Sequence, residues 1–320
     1  MAAIESYREQ LWRGWQQTGT RHVIDMEELT PPRAELQRRI EADGFDGGRT
    51  AAWARQLTET GRAVWRSVRD RRTGHTIHCM SDRRSLTADL RLGLRLMVWM
   101  RSSGLSLTWF WWDQPWVRHL PARAIPGRDH VNGGWAVPGV PEVHVYRREE
   151  AHKVMLHETV HALMLDVPAS LIAPLLPAFE RELGGRRLWP HLGEAYTEFL
   201  AEWLWAIAGS QTQTLTDARR RWHLQRECAQ KQAAIVWSRI RGLPPNAAED
   251  TNVFAYYVLK YVLILHEDDV LLTPTGSLPM WLPWWRAARG ELDRIAALAQ
   301  RSGSDNRAIA MGMTCGRTQE

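Results

Sequence analysis

The sequence predicts an α+β protein whose two halves differ in kind. Three observations carry that expectation. Alternating apolar patterns, HTIHCM (75–80), LSLTWFWW (105–112) and EVHVYR (142–147), all fall before residue 150. Helical periodicity then runs almost unbroken from Glu149 to about residue 301. Breaks at Pro168, Gly184-Gly185, Gly209-Ser210, Gly242 to Pro245 and Thr273 to Pro279 cut that second stretch into separate helices. The outline is an N-terminal half with helices and a small mixed sheet, joined near residue 166 to a mainly helical C-terminal half.

Taken in order, Ile4 to Gln17 has helical spacing, with Leu11 and Trp15 four apart. Arg21 to Met26 has the character of a strand. Thr30-Pro31-Pro32 before Glu35 opens a second helix, since proline is tolerated in a first turn. Thr50 to Arg71 predicts a third, with Trp53, Leu57, Val64, Trp65 and Val68 on its core face. After the strand at His75 to Met80, Ser85 to Ser102 is helical and stops at Gly104. Leu105 to Trp112 is apolar on both faces near its end, as a buried strand must be. Val131 to Val137 and Glu142 to Arg147 flank Pro138-Gly139-Val140-Pro141, so a hairpin is expected. Six helices follow, at about 149–166, 168–183, 191–208, 214–241, 250–267 and 283–301. The expected organisation is an N-terminal, mostly helical region over 1–72, a mixed-sheet region over 73–166, a helical region over 167–302 and a tail from 303.

Composition narrows the function. Apolar residues are 44% and charged residues 24%, which is globular and not disordered. The three cysteines, Cys79, Cys228 and Cys315, form no CxxC pair, which excludes a cysteine zinc finger. Val253 to Leu265, the longest apolar run, is too short to span a bilayer, so no membrane partner is expected. Met1-Ala2-Ala3-Ile4-Glu5 lacks the basic start of a secretory signal, so a cytoplasmic or otherwise intracellular protein is expected. The net charge is +5, but 38 Arg stand against 3 Lys beside abundant Ala, Gly, Pro and 18 Trp. That bias follows GC-rich codons, and a nucleic-acid partner is not expected from it.

Chemistry concentrates in His157-Glu158-Thr159-Val160-His161, an HExxH spacing. For a chain of this composition about 0.03 chance occurrences are expected, so the match outweighs coincidence. On a helix, positions i and i+4 lie on one face with Cβ atoms roughly 5–6 Å apart. Two imidazoles so placed can converge on one zinc ion. Glu158 lies about 100° further round. There it can reach a water on the metal, the position of a general base. A third ligand is not supplied locally: Met164 and Val167 stand where a longer HExxHxxGxxH motif would have Gly and His. The next source is LGEAYTEFLAEWLWAIA (192–208), polar mainly at Glu194, Glu198 and Glu202. His191, just before it, is a rival.

Together, His157-Glu158-x-x-His161 and the downstream Glu194-x-x-x-Glu198 resemble the zincin metallopeptidases, and within them the gluzincin branch. The resemblance covers roughly residues 75–265, with an extra helix at about 168–183. It implies a zincin-like fold with the active-site cleft between an N-terminal and a C-terminal part. It implies one catalytic Zn2+ held by His157, His161 and Glu194, and a peptide or protein substrate. Glu158 would take a proton from the attacking water and deliver it to the leaving amine. Glu198 and Asp166 would support the ligands by hydrogen bonds. A tyrosine, Tyr257 or Tyr256, would stabilise the oxyanion. The strand Val143 to Arg147, with Val145 at its centre, would be the edge strand that pairs with substrate. Asn132 and Gly133, just upstream, would contact substrate too. Two rivals remain: a zincin-like protein that binds without cleaving, and a basic nucleic-acid-binding accessory protein.

Overall fold

The computed structural model describes residues 2–20, 24–100, 105–117, 127–184, 191–209, 214–242, 249 and 251–301. The protein is α+β, with a mixed six-stranded sheet and a helix-rich remainder. It divides into two compact units. The sheet unit comprises Trp12–Val117 and Gly133–Leu165; the helical unit comprises Met1–Leu11, Arg118–Asn132 and Asp166–Glu320. Arg21 to Val23 of the expected first strand, Gly104, Gly185, Ser210 and the tail after residue 301 lie outside the described residues.

In the sheet unit the strands are β1 (Met26–Leu29), β2 (Val64–Asp70), β3 (Thr76–Ser81), β4 (Thr108–Trp112), β5 (Gly134–Ala136) and β6 (Glu142–Val145). Their order is β1-β2-β3-β4-β6-β5. β3, β4 and β6 run parallel, and the other pairs are antiparallel. Alternation in β4 sorts its aromatics to two faces. Phe110 and Trp112 pack with Leu36, Ile40, Trp53 and Leu57 from the helices Arg33–Ala42 and Arg49–Glu59. Trp109 faces the other way, where its indole N–H donates to Thr159 Oγ1 at 3.1 Å. On that side the helix Thr87–Met100 closes in at Gly93, where a Cβ would lie 2.7 Å from Ile77 Cδ1. Both faces are therefore covered, as parallel strands require.

Two expectations about this unit are corrected. Thr50 to Arg71 is not one helix. The helix ends at Glu59, and Val64, Trp65 and Val68 belong to β2. Gly61 takes φ +67, its N–H reaches Thr58 O at 3.1 Å, and Arg62 N–H reaches Leu57 O at 2.9 Å. This is a Schellman cap, which glycine makes at little steric cost. The second correction concerns the hairpin. It forms as expected, but Val143 to Arg147 does not hold an edge strand. β6 lies between β4 and β5, and the edge is β5.

The helical unit is organised around the long helix Leu215–Gly242. Against it pack Leu192–Ala208, Leu278–Arg301 and the segment from Phe254 to Leu265. Trp285 meets Trp237 and Phe254 edge-to-face at 5.1 and 5.4 Å, an arrangement that aromatic quadrupoles favour. The expected helix 168–183 is broken into Ala169–Ile172, a 3₁₀ turn at Ala173–Leu175 and Leu176–Glu182, with prolines at the joints. The expected helix 250–267 begins with a π-helical stretch, Phe254–Leu259, before Lys260–Leu265. The last helix starts at Leu278 rather than Pro283. No helix among the described residues is long and apolar enough to cross a membrane.

Candidate metal centre

His157, Glu158 and His161 lie on the helix Ala151–Ala162 of the sheet unit, called here the histidine helix. Around them Val154, Met155, Leu156, Val160 and Ala162 are buried and apolar, and His157 and Glu158 are buried at 5% and 7% exposure. Burying such groups is costly unless they meet partners. They meet each other. His157 Nε2 and His161 Nε2 are 3.2 Å apart, with ring planes at 69°. A carboxylate oxygen of Glu158 and one nitrogen of each ring all lie within 4.8 Å of one another.

The spacing fits a metal. Two nitrogens 3.2 Å apart, each about 2.0–2.1 Å from one ion, subtend roughly 100° at it, near the tetrahedral angle zinc prefers. At this separation one imidazole N–H can donate to the other ring nitrogen, and a metal held between the rings would replace that bond.

Gly134 packs closely against Glu158. A Cβ there would lie 2.6 Å from His144 O, 2.9 Å from Val154 Cγ1 and 3.0 Å from Glu158 Cγ. Only a residue without a side chain lets β5 lie so close to the histidine helix. On its opposite face β5 is pinned by Trp135. The indole stacks on His144 at 4.1 Å with planes 6° apart, and its N–H shares Asp43 and the Tyr146 hydroxyl. Burial pushes the His144 imidazole down to about 4, against the opposite pull of Asp43 and Glu142, so it stacks as a neutral ring. A third histidine of the histidine helix, His152, is accounted for separately. Burial lowers its pKa, and its Nε2–H donates to Asp89 O at 2.9 Å.

The other expected residues are placed as follows. Gly133 belongs to the sheet unit, and its carbonyl accepts from Tyr146 N–H at 2.8 Å. Val145 is fully buried in β6 and paired with both Trp111 and Gly134, so its main chain is not available to an added peptide. Asn132 belongs to the helical unit, where its Oδ1 accepts from Thr251 Oγ1 at 2.7 Å.

In that unit Glu194 stands half-buried in the first turn of Leu192–Ala208, the glutamate helix, and His191 is exposed just before it. Asp166 accepts a hydrogen bond from Thr197 of the same helix. Glu198 and Glu202 are both buried, at 0% and 1% exposure, so the glutamates do not form a solvated stripe. Lys260, also fully buried, approaches Glu202 at 2.6 Å and Glu198 at 3.7 Å. Tyr256 and Tyr257 are buried within the π-helical stretch, with the Tyr257 ring 5.8 Å from Lys260 Nζ. Such stretches are rare and recur at functional sites. Lys260 lies four residues after Tyr256, but the sequence holds no signal that it pairs with the glutamate helix.

The chain matches no family model, no curated protein and no solved structure.

Proposed function

We propose that the protein is a zinc-dependent metallopeptidase of zincin type, gluzincin-like in taking its third ligand from Glu194. The observation that carries this reading is the imidazole pair 3.2 Å apart with a carboxylate beside it on a buried helix. His157 and His161 would hold the ion. When bound, zinc would polarise a scissile carbonyl and make water nucleophilic near neutral pH. Glu158, its stem packed against Gly134, would take a proton from the attacking water and return it to the leaving amine. The open side of β5 would pair with an extended peptide through main-chain hydrogen bonds. Tyr257 or Tyr256 would donate to the developing oxyanion. Glu198, fixed by Lys260, and Asp166, held by Thr197, would orient the ligand side.

The test is metal analysis together with a peptide-cleavage assay. Wild type and Glu158→Gln should each bind about one zinc per chain, the count a single tetrahedral site holds. Cleavage should fall roughly 10²–10⁴-fold in Glu158→Gln, the usual contribution of a positioned base. His157→Ala should lose the metal. Equal cleavage by wild type and Glu158→Gln would remove Glu158 from the mechanism. Zinc binding without cleavage of any unfolded protein substrate would make this a binding protein.

A further inference from the structure

Four exposed apolar side chains gather at one end of the histidine helix. The turn Val137-Pro138-Gly139-Val140 closes with Val140 N–H on Val137 O at 3.0 Å, and Gly139 takes φ +78 at its third position. Pro and Gly in that order make a type II turn. The turn is fixed to the histidine helix. Gly139 N–H donates to Ala162 O at 3.2 Å, and a Cβ at Gly139 would lie 3.4 Å from Met164 Sδ. Around this contact Val137, Val140, Met164 and Leu165 are 40–67% exposed, and the segments 137–141 and 163–165 hold no charged residue. Clustered exposure of this kind marks contact sites, where single exposed apolar residues do not. Met164 carries a second sign. It holds a left-handed backbone position that glycine would take without strain, and such strain clusters where ligands are contacted.

The patch prolongs an open sheet edge. Tyr146 N–H bonds Gly133 O, so alternation in the antiparallel pair turns the main-chain groups of Gly134 and Ala136 outward. The opposite edge, β1, is blunted by Glu27 and Glu28, which pair with Arg69, Arg71 and Arg66. β5 carries no charged residue. Gly134 lies against Glu158, and Val137 is three residues further on, about 10 Å at ~3.3 Å per residue. We propose, in a step that rests on the peptidase reading above, that Val137, Val140, Met164 and Leu165 seat an apolar side chain of the peptide substrate, three or four residues from the scissile bond. The occupant is uncharged because the patch offers no partner to a charge. It belongs to an extended peptide because a strand added to β5 runs on over the turn. Met164, unbranched and polarisable, adapts to aliphatic and aromatic side chains alike.

Cleavage-site mapping on casein by mass spectrometry tests this with the full chain. Apolar residues should be favoured over acidic ones roughly tenfold at the third or fourth residue on one side of the cut, the worth of half-burying a leucine. Met164→Glu and Val140→Glu should each abolish that preference. Leu105→Glu, an equal change at a 48% exposed leucine elsewhere in the sheet unit, should keep it. A second readout does not depend on cleavage. Glu158→Gln should bind a fluorescent decapeptide containing one leucine roughly tenfold tighter than the same peptide with serine there. Adding Met164→Glu should equalise the two. Leucine-dependent binding that Met164→Glu removes, with no cleavage by wild type, would end the peptidase reading and leave the patch as a peptide site. Cleavage without the apolar preference, a preference that survives Met164→Glu, or equal binding of the two decapeptides would overturn the proposal and leave the peptidase reading standing. A dimer in sedimentation that Met164→Glu dissociates would give this face to a second copy, and would overturn it too.

Discussion

The histidine helix and the glutamate helix both bury charged or titratable groups, and they do so by different means. On the histidine helix, one turn of spacing brings His157 and His161 together, and the neighbour in sequence, Glu158, completes the group. Nothing beyond helical geometry is needed to assemble it. On the glutamate helix, Glu198 and Glu202 are one turn apart and of like charge. Lys260, arriving from another helix, offsets their charge in the core. A local cluster can be read from a sequence. A cluster neutralised by a residue far along the chain cannot.

The strongest way to break that comparison is to remove the distant partner. Lys260→Met keeps the volume but leaves Glu198 and Glu202 buried without their lysine. Breaking a buried ion pair in this way costs about 3–5 kcal/mol. Urea denaturation should show a loss of that size, and the further change Glu202→Gln should recover part of it. A loss within about 0.5 kcal/mol, the usual range for surface substitutions, would mean that the glutamates are solvated after all.

The same contrast separates what was legible in the sequence from what was not. The histidine helix, the glutamate helix and the 138–141 hairpin turn were readable, because each is set by local period or by Gly and Pro. The boundary at Thr60-Gly61 was missed because apolar residues at helical intervals continue across it, and Val64, Trp65 and Val68 satisfy both periods. The edge strand was misplaced for a different reason. Whether β6 or β5 lies outermost is decided by the parallel pairing of β6 with β4, a long-range choice with no trace in either segment. The π-helical stretch at Phe254–Leu259 is likewise set by packing, since no residue type marks its start. At the site, the ligand and base candidates came from spacing, whereas the steric role of Gly134 needed three dimensions.

Gly134 sharpens the comparison on the sheet side. If the histidine helix is placed by close approach of β5, any side chain at 134 must push them apart. Gly134→Ala meets backbone at 2.6 Å, so the strand itself must shift. Overpacking of this kind costs about 1–3 kcal/mol. Thermal unfolding should register that loss, and peptide cleavage should fall with it because Glu158 and Val154 sit on the displaced face. Gly133→Ala should have the smaller effect. Equal effects at the two positions would deny Gly134 its special place.

The smallest expected effect has the opposite sign and lies at the end of the histidine helix. Leu165 N–H bonds Val160 O and Met164 N–H bonds His161 O, both at 2.9 Å, the same Schellman pattern that Gly61 completes after Glu59. Here, however, the left-handed position is held by Met164, at φ +53 and 67% exposed. A side chain in that conformation costs roughly 1–2 kcal/mol. Its exposed position contributes little packing to offset that cost. Glycine would relieve the strain while losing more chain entropy on folding. Met164→Gly should therefore stabilise the protein by about 0.5–1 kcal/mol, read as a higher urea midpoint with an unchanged slope. Zinc binding should be unaffected, since the cap fixes the end of the helix and not the spacing of its histidines. Destabilisation would show that Met164 makes contacts worth more than the strain it carries.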